Sequence, residues 1–469
     1  MITIPKYSGK KIGVFGLGKA GEATVTSLLA SGAEVYAWDD NEKSVAGCKL
    51  RADHDAHNQQ LVTRNYKEWP WEDLEALVLS PGVPLTHPKP HDVVTVAREH
   101  DCRIIGDIEM LYEACPDARY VAITGTNGKS TTTTLIGHIL KSCGIRCEVG
   151  GNLGTAALSL APLDENGVYV LETSSYQLDL IDKARFNVAV WLNITPDHID
   201  RHGDIEGYVR AKLHIFANQQ KDDTAVIAVD DEWSKDIALG TRYPVLSKVV
   251  PVSVHQQLEK GVYVEKGILK DNACTEYDLS SISTLTGKHN WQNAAASYAA
   301  CCALGLRPEE ICKAMESFAG LRHRLQLVAE WKGIRFINDS KATNADATAN
   351  ALAPYHTIYW IAGGKPKEGG IVALAPFFGR VTHAFLMGEA QDAFAETLKG
   401  KVAFTKCGTL QEALKQAAKQ ALHEKKKGAV VLLSPACASF DQWKNFEERG
   451  DAFCQMVINM MNKGSINAA

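Results

Sequence analysis

The sequence predicts an α/β protein of three domains, and three observations support that prediction. The chain has 469 residues, which at roughly 150 residues per domain corresponds to about three domains. Its hydrophobic fraction of 45% is enough for each domain to bury a core, and it excludes disorder, collagen and coiled coil for the chain as a whole. Short apolar runs that are typical of buried strands alternate with helical patterns along the chain.

Composition limits the classes of partner. Lysine and arginine total 50 against 55 aspartates and glutamates, for a formal charge of -5, so the basic excess of a general nucleic-acid-binding protein is missing. No segment approaches the ~18 apolar residues that span a bilayer, and the N-terminus has no apolar export segment. The twelve cysteines contain no CxxC pair, which favours reduced thiols over zinc or disulfides. We expect a cytoplasmic protein that binds neither nucleic acid nor a membrane.

The first domain begins with a strand, a glycine turn, a helix and a second strand over residues 11–40. Gly16, Gly18 and Gly21 form a GxGxxG motif directly after the first strand, and Asp39 closes the second. Such glycines let a pyrophosphate approach the start of a helix, and the carboxylate can bind ribose hydroxyls. The motif predicts a Rossmann-like domain that binds a dinucleotide or another diphosphate. A tight turn without any nucleotide is the alternative.

A second strand, loop and helix carries the sequence TGTNGKST at residues 124–131. Backbone N–H groups of such a loop can cradle phosphates, Lys129 can neutralise them, and the hydroxyl of Ser130 or Thr131 can reach Mg²⁺. A loop without a ligand is disfavoured, because a lysine at a helix N-terminus is repelled by the helix dipole. Ile123 stands where the Walker pattern has its first glycine, and this departure restricts the set of protein families to which the loop can belong.

Two further polar residues follow strands of the same central region. Glu172 comes after GVYVL, and His198 comes after NVAVWL. Ligands of open α/β sheets bind beyond the carboxyl ends of the strands, so this pair could hold a second Mg²⁺. His198 could instead be a hydrogen-bonded loop residue. The pattern restarts near residues 107 and 320, which predicts domains of residues 1–107, 108–320 and 321–469.

Taken together and in this order, the motifs GTNGKST, ETSS, NITPDHIDRH, YVRAK, GKHNWQN and GLRHRLQL resemble those of the Mur ligase superfamily of ATP-dependent amide-bond-forming enzymes. The resemblance covers essentially the whole chain. NDSKATN, AGGKPK and SPACASFDQWKNFEERG are similar to the motifs of the members that add D-glutamate, and the DNPR motif of diaminopimelate-adding members is absent. This resemblance implies a UDP-substrate-binding N-terminal domain, a central P-loop-type ATPase domain with a mostly parallel sheet, and a Rossmann-like, amino-acid-binding C-terminal domain.

The resemblance also implies roles for individual residues of this sequence. The residues implied for ATP are Gly125, Thr126, Asn127, Gly128, Lys129, Ser130, Thr131, Asn293, Arg324 and Asp339. Those implied for the UDP substrate are Gly16, Gly18, Gly21, Asp39, Ser80, Asn152 and His198. Those implied for D-glutamate are Lys341, Thr343, Lys367, Ser439 and Phe446. Asn41 stands where close relatives carry an arginine, so the uracil contact stays open.

The implied catalytic residues are Lys129, Glu172, His198 and Lys212, and two Mg²⁺ ions would be shared among Ser130, Glu172, His198 and Lys212. Members of the superfamily carbamylate the matching lysine with CO₂, which converts a cation that repels Mg²⁺ into an anion that can hold it. Without the resemblance, Lys212 reads as an ordinary exposed helix lysine.

The implied reaction joins D-glutamate to UDP-N-acetylmuramoyl-L-alanine in peptidoglycan synthesis. ATP first converts the L-alanine carboxylate into an acyl phosphate, which the amine of D-glutamate then attacks. A monomer is expected. Two alternatives stay open. A sister Mur or folylpolyglutamate-type ligase would share the central motifs but use another amino acid, and a nicotinamide-dependent dehydrogenase would use GLGKAG but leave GTNGKST and Lys212 without a role. A nucleotide sensor without catalysis should lack the complete catalytic set.

Overall fold

The computed structural model describes residues 2–53, 60–272, 275–367 and 369–466. Its chain forms two compact units, residues 1–318 and residues 319–469. The predicted α/β class is confirmed, because three sheets are built mainly from parallel strands with helices between them. Across the described residues, none of the helices combines the length and apolar character needed to cross a membrane.

The first sheet contains five parallel strands in the order β3-β2-β1-β4-β5. Its elements are β1 (Lys11–Phe15), α1 (Lys19–Ala30), β2 (Glu34–Trp38), α2 (Glu42–Asp53), β3 (Leu61–Val62), β4 (Leu74–Leu79), α3 (Asp92–Glu99) and β5 (Ile104–Ile105). Strands β1 and β4 are neighbours although they are not consecutive. The order therefore reverses at β1, and ligands of open α/β sheets bind at such a reversal.

The second sheet, also in the first unit, has nine strands in the order β14-β13-β12-β11-β10-β9-β6-β8-β7. Its strands are β6 (Arg119–Thr124), β7 (Cys147–Gly151), β8 (Val168–Glu172), β9 (Val188–Trp191), β10 (Thr224–Ala228), β11 (Lys248–Ser253), β12 (Val262–Glu265), β13 (Ile268–Asp271) and β14 (Glu276–Asp278). The helices of this region are α4 (Asp107–Ala114), α5 (Lys129–Ser142), α6 (Ser175–Leu178), α7 (Ile199–His202), α8 (Ile205–Leu213), α9 (Glu232–Leu239), α10 (Lys288–Ala303) and α11 (Pro308–Glu316). Within the described part of this sheet, the β12–β13 and β13–β14 pairings are antiparallel and the others are parallel.

The central strands of the second sheet are buried on both faces. Alternate residues of β6 enter two different apolar cores, one that includes Tyr120 and Ala122 and one that includes Val121 and Ile123. This explains why these strands read as nearly continuous apolar runs and not as alternating ones. Because β6, β8 and β9 are parallel neighbours, their carboxyl ends lie at one edge of the sheet.

The second unit contains a six-stranded sheet in the order β15-β16-β20-β17-β18-β19. Its elements are β15 (Gln326–Trp331), β16 (Ile334–Asn338), α12 (Ala345–Leu352), β17 (Ile358–Gly363), β18 (Val381–Met387), α13 (Gln391–Leu398), β19 (Phe404–Gly408), α14 (Leu410–Glu424), β20 (Val430–Leu433) and α15 (Phe446–Ile466). Only β15 pairs antiparallel with its neighbour. Separate apolar cores cover the two faces of the sheet, as expected for a Rossmann-like arrangement.

Candidate functional site

The loop between β6 and α5 requires glycine at two positions. Gly125 and Gly128 have φ angles of +146° and +87°. A Cβ atom at Gly128 would lie 2.3 Å from Oδ1 of Asn293, and one at Gly125 would lie 3.0 Å from Cβ of Leu192. The loop thus packs closely against the end of β9 and the start of α10, and side chains larger than hydrogen do not fit there.

Thr126 and the first residues of α5 complete this loop. The Thr126 hydroxyl donates to the Thr195 carbonyl oxygen over 3.1 Å, and it lies 3.3 Å from the Tyr208 hydroxyl. Ser130 and Thr131 are buried in the first turn of α5. A helix start with N–H groups facing a glycine loop is a ready-made anion site. The structure therefore brings the predicted phosphate-binding residues 125–131 together in one loop.

Lys129, the first residue of α5, curls over this loop. Its Nζ donates to the carbonyl oxygens of Gly125 and Thr126, each over 2.9 Å. The side chain therefore places its ammonium group against the backbone of the loop, where the helix start attracts an anion. This is the position in which a lysine can neutralise bound phosphate oxygens.

Lys212 is buried against the same loop, with 1% of its surface exposed. Helix α8 begins at Asp204, whose side chain accepts the N–H of Gly207 over 2.6 Å, and a spacing of four residues places Tyr208 and Lys212 on the same buried face. The Lys212 Nζ donates to Thr124 Oγ1 and to the Gly125 carbonyl oxygen, each over 3.1 Å. The interpretation of Lys212 as an exposed lysine is therefore wrong.

Burial and the nearby Lys129 charge lower the pKa of Lys212 well below its ordinary value of 10.5. Desolvation favours the neutral form of a buried amine, and here it outweighs the opposing effect of the Asp197 and Glu172 carboxylates. A neutral amine keeps its lone pair and can act as a nucleophile toward CO₂. The local chemistry of Lys212 thus suits the carbamylation that the resemblance implies.

Glu172 ends β8 with its carboxylate buried and 4% of the residue exposed. Asn152 holds it on one side: its Nδ2 donates to Glu172 Oε1 over 2.8 Å, and its backbone N–H donates to the Glu172 carbonyl oxygen over 2.9 Å. The other oxygen, Oε2, is buried and has no hydrogen-bond partner among the described residues. Such an oxygen is costly to bury alone, and a hard cation is a partner that suits it, so Glu172 fits a Mg²⁺ ligand.

Like Glu172, His198 comes after the apolar run of a strand in the second sheet, but the surroundings of the two side chains differ. It has a φ angle of +53°, an uncommon backbone conformation that is found at functional sites. Its side chain is 47% exposed, its Nε2 lies 3.5 Å from Asp197 Oδ2, and its ring centroid lies 5.0 Å from that of Tyr176. Among the described residues, no group of three or more His, Cys, Asp and Glu side chains could hold a metal ion. The other predicted Mg²⁺ ligands, Ser130 and Lys212, are of other residue types.

The glycines of the first loop differ in their surroundings. A Cβ atom at Gly21 would lie 1.9 Å from the Gly16 carbonyl oxygen, and one at Gly16, which has a φ angle of +92°, would lie 2.5 Å from Cβ of Ser80. A Cβ atom at Gly18 would have no heavy atom within 4 Å. Gly16 and Gly21 are thus required by packing within the protein, and Gly18 leaves room for a ligand to approach the backbone.

The carboxylate of Asp39 lies against the backbone of this first loop. Its Oδ2 accepts the N–H of Leu17 over 2.6 Å, and its Oδ1 accepts the N–H of Asn41 over 2.8 Å. Next to it, Asp40 Oδ2 lies 2.9 Å from Nε2 of His91. The structure brings Gly16, Gly21, Asp39 and Ser80 together at the carboxyl ends of β1, β2 and β4, while Asn152 lies against Glu172.

Two residues predicted for ATP, Arg324 and Asp339, belong to the second unit. Asp339 is buried directly after β16, where Oδ2 accepts the Ser434 hydroxyl over 2.7 Å and Oδ1 accepts the N–H of Leu325 over 3.1 Å. Burial raises the pKa of Asp339 to about 7. Arg324 is half-buried and precedes Leu325, so both residues lie at the carboxyl end of β16.

The residues predicted for D-glutamate also lie in the second unit. The Nζ of Lys341 is 5.8 Å from the ring centroid of Phe446, and Thr343 donates its N–H to the Lys341 carbonyl oxygen over 2.8 Å. Ser439 is buried after β20, while Lys367 is exposed after β17. The structure thus brings Lys341 and Phe446 together within this unit and places the remaining residues on loops at the ends of neighbouring strands.

Sequence reasoning missed Arg449, which is 1% exposed. Its Nε donates to Ser340 Oγ over 2.9 Å, its Nη2 donates to the Ser340 carbonyl oxygen over 2.8 Å, and both Nη atoms donate to the Cys437 carbonyl oxygen over 3.2 Å. Burial lowers its pKa to about 10. Arg449 therefore fixes the loop after β16 to the loop after β20. The sequence pattern that could have indicated Arg449 is its position within the motif NFEERG.

Models of three known domains match this chain. They are the Mur ligase MurD-like N-terminal domain at residues 10–106, the Mur ligase middle domain at residues 123–301, and the Mur ligase glutamate ligase domain at residues 323–437.

Full-length relatives are similar to the whole chain. The UDP-N-acetylmuramoylalanine–D-glutamate ligase of Paramagnetospirillum magneticum is 49% identical over 457 residues, covering 97% of this chain and 98% of the relative. The ligase of the same name from Rhodospirillum rubrum is 49% identical, covering 98% and 97%. The crystal structure of the UDP-N-acetylmuramate-alanine ligase MurC from Thermotoga maritima, 20% identical, has the same fold, with a TM-score of 0.57 and coverage of 96% of this chain and 99% of that chain. The chain belongs to the Mur ligase family.

Proposed function

We propose that this protein joins D-glutamate to UDP-N-acetylmuramoyl-L-alanine at the expense of ATP, in a cytoplasmic step of peptidoglycan synthesis. The observation that carries the ligase chemistry is the buried Lys212 amine, which lies against the phosphate-binding loop at the same sheet edge as the Glu172 carboxylate. Two relatives that match 97% and 98% of this chain are named UDP-N-acetylmuramoylalanine–D-glutamate ligase, and these names support the choice of substrates. We propose that the protein acts as a monomer.

ATP is proposed to bind with its phosphates on the loop of residues 125–131. The N–H groups at the start of α5 donate to the phosphate oxygens, and the Lys129 ammonium exchanges its carbonyl partners for them. Asn293, buried beneath Gly128, is proposed to contact the adenosine part. Arg324 and Asp339 of the second unit stay predicted contacts of the nucleotide.

Ser130, Glu172, His198 and carbamylated Lys212 are the residues proposed to hold Mg²⁺, in two sites. When bound, the metal supplies positive charge that screens the phosphate oxygens during transfer. The carbamate forms when the neutral Lys212 nitrogen attacks the carbon of CO₂. A C–N bond forms, one C=O π pair moves to oxygen, and an amine proton leaves to water, so a neutral side chain becomes an anion.

The bond-forming steps follow from the poor reactivity of a free carboxylate. The L-alanine carboxylate of the substrate attacks the γ-phosphorus of ATP, an O–P bond forms, and ADP leaves. Lys129 stabilises the negative charge that develops on the transferred oxygens. The D-glutamate amine then attacks the acyl carbon, loses its proton, and phosphate leaves with the bonding pair.

The remaining substrate contacts are proposed for the UDP group and for D-glutamate. The UDP group would lie on the loop of Gly16, Gly18 and Gly21, where Gly18 leaves space for it, with Asp39, Ser80, Asn152 and His198 as further contacts. The two carboxylates of D-glutamate need cations. Lys341 and Lys367 are the proposed ones, with Thr343, Ser439 and Phe446 around them.

Phosphate release with a panel of amino acids tests this function. We expect release only when UDP-N-acetylmuramoyl-L-alanine, D-glutamate and Mg-ATP are present together. Equal release with L-glutamate, lysine or diaminopimelate would contradict D-glutamate specificity and favour a sister ligase. Stable NADH binding, measured by fluorescence, would favour the dehydrogenase alternative.

A further inference from the structure

Asn193, the second residue after β9, makes a two-bond contact with the backbone of Asn127 in the phosphate-binding loop. Its Oδ1 accepts the Asn127 N–H over 2.8 Å, and its Nδ2 donates to the Asn127 carbonyl oxygen over 3.2 Å. The Asn193 carbonyl oxygen also accepts the N–H of Thr126 over 2.9 Å. One asparagine thus satisfies three backbone groups of this loop, as a neighbouring strand would.

A further chain of hydrogen bonds, here called the relay, holds the Asn193 amide in place. Its Nδ2 also reaches Oε1 of Gln292 over 3.4 Å, and Nε2 of Gln292 donates to Asp230 Oδ2 over 2.6 Å. The Asp230 carboxylate is anchored in turn by the Ser253 hydroxyl over 2.6 Å and by the Val254 N–H. Gln292 is buried and the Asp230 side chain is 8% exposed, so this relay is largely shielded from competition by water.

The relay joins elements that are distant in sequence and adjacent at the sheet edge. Asp230 follows β10, Gln292 lies in the first turns of α10, and Asn193 follows β9. The same turn of α10 carries Asn293, whose Oδ1 limits the space at Gly128. Helix α10 therefore contacts the loop directly at Gly128 and indirectly, through Asn193, at Asn127.

The tip of this loop, at Asn127, is the part that needs such support. Gly125 and Gly128 flank it with conformations that only glycine adopts readily, and Asn127 between them is exposed, so packing does not fix its backbone. A loop that samples several conformations must be ordered when the nucleotide binds, and that ordering lowers affinity. A site that is ordered in advance avoids this cost.

Building on the proposed function, we propose that Asn193, held by Gln292 and Asp230, is a positioning residue that keeps the phosphate-binding loop in its nucleotide-binding conformation before ATP arrives. Asn193 acts through the backbone of Asn127 and needs no contact with the phosphates. The proposal predicts a defect confined to nucleotide binding, with the other two substrates bound normally.

The chain offers a matched control at the opposite end of the same strand. Asn187 immediately precedes β9, and its Oδ1 accepts the N–H of Tyr120 in β6 over 2.8 Å. It therefore makes the same type of bond between the same two chain segments, at the edge of the sheet away from the loop. A merely structural asparagine should behave like Asn187.

The test compares Asn193→Ala, Gln292→Ala and Asn187→Ala in the full-length protein. For Asn193→Ala we expect KM for ATP to rise about tenfold, which corresponds to the loss of roughly one well-made hydrogen bond. The values of kcat and of KM for D-glutamate should change less than twofold. Gln292→Ala should show a smaller rise in the same constant. Asn187→Ala should lower the melting temperature and leave KM for ATP unchanged.

Calorimetric titration with Mg-ADP separates this proposal from the proposed function, because it needs no ligase activity. Weaker Mg-ADP binding by Asn193→Ala than by Asn187→Ala, at comparable melting temperatures, supports the positioning role even if the ligase assay fails. Unchanged Mg-ADP affinity in Asn193→Ala and Gln292→Ala overturns it. If Asn193→Ala does not fold, Gln292→Ala alone decides, since it removes the support and leaves Asn193 in place.

Discussion

The two glycine-rich loops of the first unit connect a strand to a helix in the same way but are held by different chemistry. The loop after β1 is held by one carboxylate, Asp39, through the backbone of Leu17 and Asn41. The loop after β6 is held by the side-chain amide of Asn193 and contacted by two lysines, Lys129 and Lys212. The first arrangement suits holding a substrate, and the second concentrates charge where we propose that phosphate is transferred. A shared backbone motif therefore does not imply a shared task.

The lysine in each loop sharpens the contrast. The ammonium group of Lys19 in GLGKAG donates a hydrogen bond to the carbonyl oxygen of Gly154, outside its own loop. Lys129 of GTNGKST bonds to carbonyl oxygens of its own loop. Only the second lysine is therefore placed over the N–H groups that would cradle a phosphate.

The largest effect should come from Lys129→Ala. It removes the ammonium that stabilises charge on the transferred oxygens, so we expect phosphate release to fall at least about a thousandfold. Lys141→Ala, at the exposed end of the same helix, is the control and should keep full activity. Retention of more than a tenth of the activity in Lys129→Ala would show that the loop after β6 does not carry the chemistry.

Lys212→Ala should have the next largest effect, a loss of about a hundredfold, because a buried anionic ligand for the metal can no longer form. Carbon-13 bicarbonate should give a carbamate signal in the nuclear magnetic resonance spectrum of the unsubstituted protein and none in Lys212→Ala. Added bicarbonate should raise activity only when the lysine is present. Active protein without any carbamate signal would contradict the role.

In the first loop, Gly18→Ala should raise KM for the UDP substrate about tenfold without lowering the melting temperature, because the new methyl group meets no protein atom and intrudes only on a ligand. Gly379→Ala, where an added Cβ also has nothing within 4 Å, is the control. Gly21→Ala should instead destabilise the fold. An unchanged KM in Gly18→Ala would remove the UDP group from this loop.

The smallest effect concerns stability and pH. Burial lowers the pKa of Lys212 in the folded chain well below the ordinary value of 10.5 that the unfolded chain keeps. Between the lowered pKa and the ordinary one the unfolded state binds more protons, so the free energy of unfolding rises with pH over that range, by up to about 1.4 kcal/mol per pH unit. In CO₂-free buffer, Lys212→Met should be more stable at pH 7 and lose this pH dependence. The exposed Lys221→Met should show no such change, and equal slopes in all three proteins would mean that Lys212 is charged when buried.

Much of the fold and part of the site could be predicted from the sequence, because the signals are local. Apolar runs identified the strands, and TGTNGKST predicted a phosphate-binding loop without any tertiary information. Because β6, β8 and β9 are parallel neighbours, polar residues that follow them meet at one edge, which is why Glu172 could be singled out. Arg449 could not, since its partners Ser340 and Cys437 become neighbours only through the sheet.

By itself, the sequence determined the α/β class, the order of the motifs and the identity of the residues predicted to face phosphate, since glycine, lysine and hydroxyl spacings act over a few residues. Only the tertiary structure decided which of these residues are buried and what they contact. It turned Lys212 from an apparently exposed lysine into a buried amine, left one oxygen of Glu172 without a hydrogen-bond partner among the described residues, and brought Asn193 to Asn127 across 66 positions of sequence. Burial and long-range hydrogen bonds depend on how strands pair and helices pack, and that information is distributed over the whole chain.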